Sequence, residues 1–104
     1  MARERKSPDG ARPIARAKVM VAEPPHLCRV QSATRALCRS AGFSESAVFQ
    51  AVIGVTDFAY GQYLGSDRPV DIDLSALRHP DGLELRAEIA GPEAPARVSF
   101  PFAL

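Results

Sequence analysis

Two cysteines and two histidines are the side chains whose chemistry would be easiest to use. Cys28 and Cys38 stand ten residues apart in a stretch that reads as one helix. Ten helical residues place them ~15 Å apart along the axis. A disulfide needs Cα atoms within ~7 Å, so they cannot bridge. With only His26 nearby they do not make a zinc site either. Two reduced, small apolar side chains in a cytoplasmic protein are the expectation. His26 follows Pro25 and His79 precedes Pro80, one at the start of a helix and one in a turn. Surface roles are expected for both. Asp71 and Asp73 share one strand face and could offer oxygens to a divalent cation. At that i, i+2 spacing they read instead as the solvated side of a half-buried strand, and no metal site is expected. The chain has no Asn and no Trp, which excludes any mechanism that needs an asparagine side chain. It contains no Gly-x-Ser-x-Gly elbow and no glycine-rich phosphate loop.

The elements around these residues follow from periodicity. Residues 1–16 mix Arg, Lys and Ser with the breakers Pro8, Gly10 and Pro13, and read as a flexible basic tail. Residues 17–22 form a short apolar run, an expected strand. Pro24 and Pro25 end it and open a helix over 26–41, with Leu27, Val30, Thr34, Leu37 and Ala41 at helical spacing. Gly42 is placed as its left-handed cap, and Phe43 to pack back on the last turn. Ser44 is a good N-cap for a second helix running to Leu64 and Gly65. That helix is apolar almost all round, which suggests an element sandwiched between layers. Gly54 and Gly61 each cost about 1 kcal/mol inside it, implying close approach of another backbone or a former ligand site.

The period then changes to two. Val70, Ile72 and Leu74 alternate with Asp71, Asp73 and Ser75; Leu83, Leu85, Ala87 and Ile89 alternate with Glu84, Arg86 and Glu88. The segment His79-Pro80-Asp81-Gly82 turns between them. Val98, Phe100 and Phe102 close the chain as a last strand, where Pro101 argues for an edge. One domain over 17–104 is expected: an α+β two-layer sandwich, two helices packed on a mainly antiparallel four-stranded sheet.

The formal net charge of +1 gives no general pull toward nucleic acid or membrane surfaces. No apolar run approaches the ~20 residues of a membrane span. A secretory signal is not expected, because no apolar stretch follows Arg3, Arg5 and Lys6.

The stretch from Ala17 to Pro92 resembles the histidine-kinase-like (GHKL) ATPase fold. Within it, the likeness is to the anti-sigma-factor and switch-protein serine kinases of bacterial partner switching. The order is the same: a strand, a helix with spaced arginines (Arg29, Arg35, Arg39), the pair Gly42-Phe43, and a second helix. The family's Glu and Asn on that second helix fall, counted from Phe43, on Asp57 and Gly61. Its Asp-x-Gly-x-Gly box falls on Ile89-Ala90-Gly91-Pro92-Glu93, where Gly91 and Pro92 are the remnant. In the family the Asn holds Mg²⁺, the Glu orients the nucleophile and the box Asp reads adenine. Gly61 has no side chain to offer a metal, and Ile89 cannot accept the adenine bond. Only residues 93–97 separate the box from the last strand, too few for the family's lid.

Phosphoryl transfer rests on positioning and on charge neutralisation by metal and phosphate cradle. Their loss implies a non-catalytic protein-interaction module without cofactor, binding a sigma factor or an anti-sigma antagonist. Arg29, Arg35 and Arg39 would carry the contact, with a homodimer as a further possibility. The alternative is a divergent ATP-dependent serine kinase using Asp57 as base.

Overall fold

The computed structural model describes residues 10–89 and 96–103. The order is β1 (Arg12–Val21), α1 (Leu27–Ser40), α2 (Glu45–Leu64), β2 (Val70–His79), β3 (Gly82–Ile89) and β4 (Ala96–Ala103). A short 3-10 turn, Pro24–His26, leads into α1. The four strands form one sheet in sequence order, and all three pairings are antiparallel. Two helices therefore cover one face of an antiparallel sheet, the α+β architecture expected.

The alternation decides which face each strand buries. Val19, Val21, Ile72, Leu74, Leu85 and Ala87 point to the helices and form the centre of the core. In register, Leu74 faces Ala87 across the β2–β3 ladder, and Ala87 faces Val98 across β3–β4. From above, Val30, Leu37 and Cys38 of α1 meet them, with Ala51, Val55 and Ala59 of α2.

The joint between the helices follows its sequence signals. Gly42 sits at φ 89°, a left-handed conformation that glycine adopts without a Cβ penalty. The Gly42 amide donates to Arg39 O at 3.2 Å and the Phe43 amide to Cys38 O at 3.0 Å. This is the Schellman pattern. Phe43 is buried and meets Phe102 of β4 edge to face, ring centres 5.6 Å apart. Ser44 then caps α2, its Oγ accepting from the Ala47 amide at 3.1 Å. At the other end of the pair, the Ala22 amide donates to His26 Nδ1 at 3.0 Å, giving His26 a structural place at the start of α1.

Three expectations are corrected. β1 begins at Arg12, so residues 12–16, assigned to the tail, are strand; pairing with β2 from Arg78 inward supplies the hydrogen bonds that local sequence could not reveal. Residues 1–9 of the expected tail lie outside the described residues. α2 is not sandwiched: it lies on the sheet with one apolar side outward, exposing Phe49, Ile53, Tyr60 and Leu64. The two helical glycines also part company. A Cβ on Gly54 would fall 2.2 Å from Cε1 of Phe100, whereas one on Gly61 would meet nothing within 4 Å. Pro101 does lie on an edge strand, β4.

Candidate protein-interaction surface

Arg35 and Arg39 project from α1 toward the first half of α2. With Glu45, Val48, Phe49, Val52 and Ile53 they line a groove of about 260 Å³. Its floor is apolar and its rim is charged. Arg39 reaches across the joint to Glu45, Nη2 to Oε1 at 2.9 Å and Nε to Oε2 at 3.3 Å. Both side chains are exposed, so this paired contact contributes only a few tenths of a kcal/mol. Its consequence is positional: the guanidinium is held at the groove mouth. Arg35 is half-buried one turn earlier. Arg29 is exposed near the start of α1 and does not line the groove. The structure thus brings two of the three expected arginines together with exposed Phe49 and Ile53 and the outer edges of core residues Val48 and Val52.

Asp57 and Gly61 are exposed on α2. Neither aims a side chain into a cavity between the helices and the sheet, and Gly61 adjoins open space. Gly91 and Pro92 lie outside the described residues. Among the described residues, no three His, Cys, Asp or Glu side chains stand close enough to share a metal ion. Asp71 is exposed, and Asp73 pairs with Lys18 at 3.8 Å on the sheet face turned away from the helices.

That outer face carries a cluster missed from the sequence. Glu84 is only 5% exposed, though it points away from the core. Its Oε1 accepts from His79 Nε2 at 2.5 Å and from Arg86 Nη2 at 3.1 Å. Its Oε2 accepts from Arg86 Nε at 2.9 Å and from Ser99 Oγ at 2.8 Å. Burial pushes the Glu84 carboxyl up, but the bonds from Arg86, Ser99 and His79 and the Arg86 charge outweigh it and hold the carboxyl below its ordinary 4.5. The neighbouring cavity, about 430 Å³, is also lined by Asp81, Arg97 and Phe102.

The cluster resembles a relay only in composition. A Ser–His–acid relay needs the histidine between the other two. Here the carboxylate is central, and Ser99 and His79 both donate to it. Ser99 donates to the carboxylate directly and not to His79, and both Glu84 oxygens are engaged by several donors. The arrangement ties β2, β3 and β4 together on the outer face. Alternation did show that Glu84 and Arg86 share that face, but the register that adds Ser99 was not readable locally.

Comparison with protein-family models, curated proteins and solved structures finds no match to this chain. No helix among the described residues is long and apolar enough to cross a membrane.

Proposed function

We propose that this chain is a non-catalytic protein-interaction module whose docking surface is the outer face of α1 and α2. The observation that carries this reading is the groove: Phe49 and Ile53 stand exposed beside Arg35 and Arg39. Such a surface suits a segment that offers an apolar side chain flanked by carboxylates. Arginine and aromatic residues dominate binding energy at protein interfaces, because the planar guanidinium makes paired bonds to carboxylates and large rings exclude water. A sigma factor or an anti-sigma antagonist is the partner class implied by the family resemblance, and it is proposed on that ground alone.

The test is capture of partners from the host with wild-type protein, Arg35→Glu and Phe49→Asp, followed by titration of the purified partner. A hot-spot loss of about 2 kcal/mol weakens binding about 30-fold in either variant. Phe49 is exposed and Arg35 half-buried at the groove, so circular dichroism should stay native. Equal affinity in all three proteins overturns the assignment.

A further inference from the structure

The apolar side of α2 extends beyond the groove. Phe49, Ile53, Tyr60 and Leu64 are 57%, 51%, 46% and 63% exposed. At about 100° per residue they fall within ~60° of arc, and at ~1.5 Å per residue they run for ~22 Å along the helix. Large exposed apolar side chains aligned along one side of a helix in this way mark an interaction site.

Its spacing is symmetric. Phe49 and Leu64 are equally far from the midpoint between Thr56 and Asp57, and so are Ile53 and Tyr60. A ridge that reads alike from both ends meets the requirement of a two-fold contact, in which residue i meets j while j meets i. We propose that the ridge is covered by a second copy of this chain, α2 lying antiparallel on α2. Phe49 then faces Leu64 of the second copy, and Ile53 faces its Tyr60.

Charge at the helix ends selects the same direction, against the like charge of the two exposed Asp57 side chains that the axis brings together. Arg35 and Arg39 flank the first half of the ridge. α2 has Glu45 in its first turn and no basic residue in its last, so no side-chain cation in the helix offsets the partial negative charge of its carbonyl end. The antiparallel arrangement brings that end of the second copy toward Arg35 and Arg39. A parallel one sets the arginines of both copies side by side. The inference rests on the α1–α2 face being the docking surface, and it makes self-association and partner binding compete for the groove.

Sedimentation equilibrium of the full chain, from micromolar to near-millimolar, should give a mass rising to twice the 11.2 kDa of one chain. Ile53→Asp should hold it at the single-chain mass with an unchanged circular-dichroism spectrum. In a Cys28→Ser background, Asp57→Cys lies at the proposed axis and should be joined to its copy by a short bismaleimide. Ser46→Cys should not be joined, because its two copies would sit ~32 Å apart along the helices. A single-chain mass throughout, a dimer that survives Ile53→Asp, or preferential joining at Ser46→Cys overturns the proposal. A single-chain mass together with partner capture that Arg35→Glu abolishes removes the dimer and leaves the docking surface standing. A symmetric dimer whose partner capture ignores Arg35→Glu does the reverse.

Discussion

Gly54 of α2 and Phe100 of β4 are fitted to each other: the ring edge occupies the space a Cβ would need, with Cε1 at 2.2 Å from that position. The glycine is therefore the means by which the helix lies down on the last strand. Gly54→Ala gains about 1 kcal/mol of helix propensity. Overpacking against a partly buried ring costs about 1–3 kcal/mol. The net expectation is a loss of about 1 kcal/mol, read as a fall in Tm. Combining it with Phe100→Leu should cost less than the two single changes added together, because the smaller side chain vacates the clash. Strict additivity would show that the two residues are not in contact.

Thr34 gives an opposite expectation. It is fully buried in α1, and its Oγ1 has no hydrogen-bond partner among the described residues. A buried hydroxyl without a partner costs about 1–3 kcal/mol in lost hydration. Thr34→Val keeps the branched shape and removes the hydroxyl. Chemical denaturation should show a gain of about 1 kcal/mol at unchanged m-value, and a loss would mean the hydroxyl is satisfied.

The cysteines separate by reactivity. Burial pushes the Cys38 thiol up to about 12, from an ordinary 9.0, while Cys28 is exposed. A thiol-specific reagent at neutral pH should modify one cysteine in the native protein and two in denaturant. The raised value also fixes a sign. Cys38 contributes stability that is complete below pH 9 and lost as pH climbs toward 12, since the unfolded thiol ionises first. Cys38→Ala should flatten that alkaline decline. Equal labelling of both thiols in the native state would contradict the burial.

Some of this was legible from residue order and some was not. Local signals carried the caps: Gly42 and Ser44 serve as the spacing implied, while the ring of Phe43, expected on the last turn of α1, meets Phe102 of β4. Alternation placed Leu74, Leu85 and Ala87 inward for the same reason. Two errors share one cause. Whether residues 12–16 are strand depends on β2, and whether Phe49 and Ile53 are covered depends on what lies above α2, both facts about distant chain. An apolar helix with outward Phe and Leu side chains has the composition of a buried one. The Glu84 cluster was hidden likewise, because Ser99 is fifteen residues from Glu84 and reaches it only through the β3–β4 register.

Glu84 ties acid sensitivity to one carboxyl. Its folded value is held below the ordinary 4.5, against the pull of burial, by bonds from Arg86, Ser99 and His79. A depressed carboxyl contributes stability that is present above its unfolded value and disappears as pH falls through the folded one. Thermal melts should therefore be level with respect to this group above pH 5 and decline below about 4.5. Glu84→Gln should lower Tm near neutrality, since it removes the charged acceptor shared by Arg86, Ser99 and His79, and should weaken the decline at acid pH. His79 donates to the same oxygen, so His79→Ala should reduce both effects without abolishing them. A Glu84→Gln melt that keeps the wild-type acid slope would place the titrating group elsewhere.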